Sequence, residues 1–171
     1  MILHHASFCF FLLCLQVRSS SGAQVTHFFK EPGETISVTC SFLSPGAWRT
    51  FCRETCEGEN VLIRTQRQTE QRGRYRTEYK STYNLHVSIS DLTQSDAGLY
   101  TCGLGGSSSL ASYHEFRLVV VDALLDGTRD HRLLYKETSS SLTVACSFSR
   151  SGRTKFFCRG KCDGDQILVQ T

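Results

Sequence analysis

No catalytic signature runs through this chain. It has no nucleophile elbow, no metal-protease motif and no phosphate-binding loop. An enzyme would need a constellation these residues do not supply, and no cofactor or metal is expected. No nucleic-acid motif is present. The formal charge of +3, which drops by one if Arg18 leaves with a leader, is too mild to imply nucleic acid. There is no N-x-[ST] sequon, so no N-linked glycan is expected. No long segment repeats with helical periodicity. No apolar run beyond the extreme front of the chain could cross a bilayer.

What is present begins with that front end. The apolar stretch Ala6 to Val17 is about twelve residues long, too short to span a membrane and right for a secretory leader. Ser21 and Ala23 hold the small-residue positions of a cleavage site, which predicts a signal peptide over 1–23. The rival, an uncleaved anchor, is disfavoured by length. His4 and His5 leave with the leader and so bind no metal in the mature chain. Secretion places the remainder in an oxidising compartment. Of nine cysteines, Cys9 and Cys14 are lost, leaving Cys40, Cys52, Cys56, Cys102, Cys146, Cys158 and Cys162, an odd number.

The second feature is a gapless internal repeat. Val38 to Thr65 (VTCSFLSPGAWRTFCRETCEGENVLIRT) lies over Val144 to Thr171 (VACSFSRSGRTKFFCRGKCDGDQILVQT) at a constant offset. Cys40, Cys52 and Cys56 fall on Cys146, Cys158 and Cys162, and Phe51 falls on Phe157. A cysteine-rich repeat of small-domain length predicts a tandem array. The expectation is one complete domain over 24–121 and an incomplete second copy over 122–171, carrying strands A to C′ only, with further chain and a membrane anchor beyond Thr171. The odd cysteine is then Cys146, left unpaired by truncation.

Within 24–121 the pattern is all-β. Ile36, Val38, Cys40 and Phe42 alternate with polar neighbours, as do Leu85, Val87 and Ile89, and Phe116 to Val121 is a third strand. Turn signals separate them, at Glu31-Pro32-Gly33-Glu34, Ser44-Pro45-Gly46 and Glu57-Gly58-Glu59-Asn60. Short strands at this spacing predict a sandwich. Leu142, Val144, Cys146 and Phe148 repeat the alternation in the second unit, which begins at Asp122 with almost no linker.

Asp96-Ala97-Gly98-Leu99-Tyr100-Thr101-Cys102 resembles the D-x-G-x-Y-x-C motif at the E–F corner and strand F of an immunoglobulin domain. The resemblance implies a V-type β-sandwich, a tyrosine corner at Tyr100 and a partner for Cys102 in Cys40 on strand B. That bridge closes a loop of about 63 residues, worth roughly 4 kcal/mol in chain-entropy terms. Gly73-Arg74 fits the start of strand D, and Arg74 is expected to pair with Asp96. The core tryptophan of strand C is replaced by Phe51, with Phe157 as its counterpart. Trp48 lies three residues earlier, in the B–C loop or at the start of strand C.

Phe51-Cys52-Arg53-Glu54-Thr55-Cys56, echoed by Phe157-Cys158-Arg159-Gly160-Lys161-Cys162, resembles the polymeric immunoglobulin receptor and the related CMRF-like leukocyte receptors. The resemblance implies extra C–C′ disulfides, Cys52–Cys56 and Cys158–Cys162. The rival use of two C-x-x-x-C pairs is zinc, which oxidising secretion disfavours. It also implies a cell-surface immune receptor at the plasma membrane, binding an extracellular ligand and signalling. A transport receptor for polymeric immunoglobulin and a soluble decoy are the alternatives.

The residues themselves suggest where a ligand sits. Arg64, Arg67, Arg72, Arg74, Arg76 and Lys80 outnumber Glu70 and Glu78 over 61–80, a cation excess that attracts anionic lipid, glycan or acidic protein, or is a solvated strand face. Trp48 and Arg49 are candidate anchors. The F–G segment Leu104 to Ala111, with Leu104 and Leu110 as its apolar members, is glycine- and serine-rich. It carries no acid, although some related receptors bind lipid headgroups with calcium.

Overall fold

The computed structural model describes residues 25–106, 110–125, 132–148 and 152–171. The leader expected over 1–23 lies outside these residues. Among the described residues thirteen strands follow one another: β1 (Thr26–Lys30), β2 (Ile36–Ser41), β3 (Trp48–Arg53), β4 (Val61–Thr65), β5 (Thr69–Arg72), β6 (Tyr75–Ser81), β7 (Asn84–Ile89), β8 (Gly98–Gly105), β9 (Leu110–Val120), β10 (Ala123–Leu125), β11 (Val144–Cys146), β12 (Phe156–Cys158) and β13 (Ile167–Gln170).

The first nine strands form two facing sheets, ordered β1-β9-β8-β3-β4 and β2-β7-β6-β5. Each strand turns alternate residues inward. Ile36 and Cys40 of β2, Leu85, Val87 and Ile89 of β7, and Tyr100, Cys102 and Leu104 of β8 are all buried on the shared core. Cys40–Cys102 links the two sheets, with Cα atoms 6.5 Å apart and a sequence separation of 62.

Phenylalanine fills the place a tryptophan would take. Phe51 is completely buried. Its ring stacks on Tyr100 at 5.8 Å and on Phe116 at 6.4 Å, with Tyr75 edge-on at 6.3 Å. Aromatic pairs at such separations add to area burial, about 0.5–1.5 kcal/mol each. Tyr100 satisfies its hydroxyl by donating to the Asp96 carbonyl at 2.7 Å, and burial pushes its pKa up to about 12.

One end of the sandwich is closed by an ion pair. Arg74 gives two hydrogen bonds to the Asp96 carboxylate, both 2.8 Å, and a third to the Asp91 carbonyl at 2.9 Å. Asp96 also accepts from the Thr93 amide (2.8 Å) and hydroxyl (3.0 Å). The Arg74 contact, followed by the Thr93 bonds, holds its carboxyl at about 2 despite burial.

The second unit repeats local geometry with little core. β10 pairs in parallel with β11, and β12 is antiparallel to β13. Cys158–Cys162 is bridged with Cα atoms 5.3 Å apart, against 5.2 Å for Cys52–Cys56. Cys146 is free and exposed. Phe157 is 60% exposed where its copy Phe51 is fully covered, and Leu142 and Phe148 are exposed too.

Candidate functional site

Strand pairing defines the outer face of the five-stranded sheet. Phe51 and Cys102 point inward and are register partners, so Trp48, Thr50 and Cys52 face out, as do Thr101, Gly103 and Gly105. Trp48 pairs with Gly105 and Gly105 pairs with Leu110, so tryptophan and leucine flank a glycine across three strands. Leu110 lies over Gly103: a Cβ there would meet its Cδ2 at 2.8 Å. Tyr113 is the register partner of Gly103 and is exposed.

The B–C loop is docked on the same end. A Cβ on Gly46 would lie 2.4 Å from the Gly105 amide nitrogen, so the B–C loop seats on the end of β8 only because Gly46 has no side chain. Leu43, in the same loop, is 97% exposed. Tyr83 is exposed at the β6–β7 turn, where its carbonyl accepts the Phe42 amide at 2.8 Å. Leu43, Tyr83 and Tyr113 were not among the sequence candidates. Turn position flags Tyr83, and parity flags Leu43, which follows the inward Phe42.

Two of the expected contacts are relocated. Leu104 is no loop contact: it lies on β8 two residues after inward-facing Cys102 and is 0% exposed. Arg49 is its register partner and also turns inward. Its guanidinium stacks 3.9 Å over the Tyr79 ring and donates to the Ala47 carbonyl at 3.0 Å and to the Gln66 carbonyl. It ties the B–C loop, the β4–β5 turn and β6 together instead of reaching outward. Ser107 to Ser109 of the F–G segment lie outside the described residues.

The arginines do not form one patch. Arg67 sits at the loop end, 3.4 Å from Glu70. Arg64 lies on the outer face, in register with Thr50, and reaches back to the Cys56 carbonyl at 3.4 Å. Arg72 pairs with Tyr75 beside Gly73, at the opposite end near Arg74. Arg76 and Lys80 share Glu78, at 3.6 and 2.5 Å, and Lys80 first, then Arg76, lowers that carboxyl. Glu70 and Glu78, already set against the cation excess read from the sequence, hold Arg67, Arg76 and Lys80, and Asp96 takes Arg74, so the positive charge that remains is divided between the two ends of the sandwich.

Among the described residues no cluster of metal ligands occurs, and no helix is long and apolar enough to cross a membrane. The loop end offers an exposed leucine, aromatic edges and one guanidinium held by a single carboxylate. That is the chemistry of a docking surface, not of bond making.

Comparison with known proteins follows the same outline. The immunoglobulin V-set domain model matches residues 26–121. The polymeric immunoglobulin receptors of rat and mouse are each 28% identical over 155 residues, covering 85% of this chain and 19% of the receptor. The rabbit receptor is 27% identical over 148 residues. The chain thus spans about a fifth of the length of these relatives. Among solved structures, the natural killer cell receptor NKp44 gives a TM-score of 0.49 at 20% identity, covering 57% of this chain and 99% of that one. A teleost fish polymeric immunoglobulin receptor ectodomain gives 0.47 at 18%, covering 57% and 45%. Because the family model takes in more than half of the chain, from the first strand through the buried end of β9, the protein belongs to the immunoglobulin V-set domain family, a non-enzymatic receptor-domain family.

Proposed function

We propose that this chain is ectodomain of a cell-surface immune receptor of the plasma membrane, binding an extracellular ligand and serving transmembrane signalling. In this reading residues 1–23 are a removed leader, 24–121 a V-type recognition domain and 122–171 a second copy of the same type. The observation that carries it is the apolar character of the loop end, where Leu43 and Tyr83 are exposed on a rigid sandwich and half-buried Trp48 and Leu110 flank Gly105. Loops on a rigid scaffold are where binding residues concentrate, and tryptophan and tyrosine are enriched among hot spots. The partner is an extracellular protein, or an anionic lipid or glycan drawn by Arg67 and Arg64.

The test uses fluorescent tetramers of the secreted chain on a panel of leukocytes and epithelial cells. A Leu43→Ser/Trp48→Ala variant should lose staining by tenfold or more while keeping its thermal transition. Equal staining by a folded variant overturns the loop-end assignment. A transport receptor is the second reading, favoured by the 28% identity to polymeric immunoglobulin receptors. Saturable binding of dimeric immunoglobulin A to the immobilised chain would select it. A soluble decoy is the third, selected if the native protein is recovered from medium and not from membranes.

A further inference from the structure

The side chain of Glu31 does nothing for the turn that carries it. The turn closes through backbone, Glu34 amide to Glu31 carbonyl at 3.3 Å, and through the Glu31 amide bonding the Glu34 carboxylate at 2.6 Å. The copy in the second unit makes the same turn. Glu137 stands where Glu31 does, Ser140 donates to the Glu137 carbonyl at 3.1 Å, and Ser139 takes φ 74° where Gly33 takes 83°. Glu137 is exposed, so this turn forms without a clasped carboxylate.

The contacts of the Glu31 carboxylate run instead to the second unit. One oxygen accepts the Leu124 amide at 2.7 Å and an Arg132 nitrogen at 2.5 Å, and the other accepts the second Arg132 nitrogen at 2.7 Å. Planar two-point pairing of this kind sets orientation as well as distance. Arg132, then the Leu124 amide, keeps the Glu31 carboxyl at about 2.

Neighbouring contacts serve the same join. The Val121 amide bonds the Lys30 carbonyl at 2.8 Å, and Val121 and Ala123 are buried. Asp122 accepts the Thr143 amide at 2.8 Å and pairs with Lys136 at 2.6 Å.

We propose that Glu31 is a clasp that fixes the angle between the two immunoglobulin units, making their junction a rigid elbow. Relative motion is the default for units joined by small polar interfaces, and a two-point ion pair next to a buried strand start removes it. β9 runs on the order of 35 Å from the loop end to this junction at ordinary strand rise, so the clasp sets how the loop end is presented.

The test uses the whole secreted chain. Amide exchange is read at Leu124, and the inter-unit distance distribution by small-angle scattering. Glu31→Arg should speed Leu124 exchange at least tenfold and broaden the distribution. Arg132→Glu alone should broaden it, and the Glu31→Arg/Arg132→Glu pair should narrow it again. Amides of Phe51 and Cys102 report that the first unit stays folded. If Glu31→Arg disturbs them, Glu31→Gln serves in its place, with the same broadening expected. Unchanged Leu124 exchange in the substituted protein, a distribution already broad in the wild type, or a charge-swapped pair as broad as its single variants would each overturn the clasp.

Discussion

Replacing Asp96 with asparagine tests the ion pair at the closed end of the sandwich. Asp96 is buried, and its carboxylate takes two bonds from Arg74 and two from Thr93. Its folded pKa is about 2 against an ordinary 3.8. At about 1.36 kcal/mol per pKa unit this gap is worth roughly 2 kcal/mol. Arg74 is 36% exposed, so solvent screening trims it to about 1–2. The folded pKa is depressed, so the stabilisation is full above the unfolded value and is lost as pH falls from about 4 to about 2. Asp96→Asn removes the charge and also sets an amide donor against the Thr93 or Arg74 donors. The total cost at pH 7 should be about 2–3 kcal/mol. For a domain of this size that is a fall in Tm of about 10–20 °C. Trp48 is the single tryptophan of the chain and sits in the first unit, so its fluorescence reports that unit alone. Urea titrations at pH 7, 5, 4, 3 and 2 give the assay. The wild type should lose its advantage over Asp96→Asn between pH 4 and 2. Parallel profiles across that window, or a loss under 0.5 kcal/mol at pH 7, refute the reasoning.

Other substitutions separate core from surface. Phe51→Ala should cost about 3–5 kcal/mol in urea denaturation, whereas Phe157→Ala, at a site 60% exposed, should cost under about 1. Gly46→Ala forces a Cβ towards the Gly105 nitrogen; a loss of about 1–3 kcal/mol is expected, with faster exchange of the Gly105 amide, and unchanged stability would mean the B–C loop lifts freely from β8. Removing Cys40–Cys102 should cost about 4 kcal/mol and removing Cys52–Cys56 about 2, so denaturation of the paired alanine variants should rank them in that order.

Much of the architecture was legible because it is written in short-range pattern. Alternation with period two marked β2 and β7, the apolar run Phe116 to Val121 marked the end of β9, and the D-x-G-x-Y-x-C segment marked the corner at which Tyr100 meets Asp96. The binding end was less legible. Parity already placed Leu104 inside, two residues from Cys102, yet the glycine and serine content of the segment suggested a loop. The arginines between 61 and 80 read as one patch because sequence adjacency ignores the ends of a sandwich. A strand-turn-strand path carries Arg67 and Arg72 to opposite ends.

The repeat separates what local sequence determines from what tertiary structure decides. Both C-x-x-x-C turns close to nearly the same Cα distance, and both carry positive φ at their third residue, Glu54 at 57° and Gly160 at 80°. Turn geometry and a short disulfide involve only neighbours along the chain, so the same residues produce them in either unit. Burial is different. Phe51 and Phe157 occupy the same place in the same motif, but Phe51 is covered by Tyr75, Tyr100 and Phe116, which arrive from strands distant in sequence. Among the described residues no such rings cover Phe157. Local sequence determined the strands β2 and β7 and the end of β9, the turns and the family. Facing sheets decided which phenylalanine is core, which arginine is spent inside and which leucine meets solvent, because burial is a property of what packs against a residue.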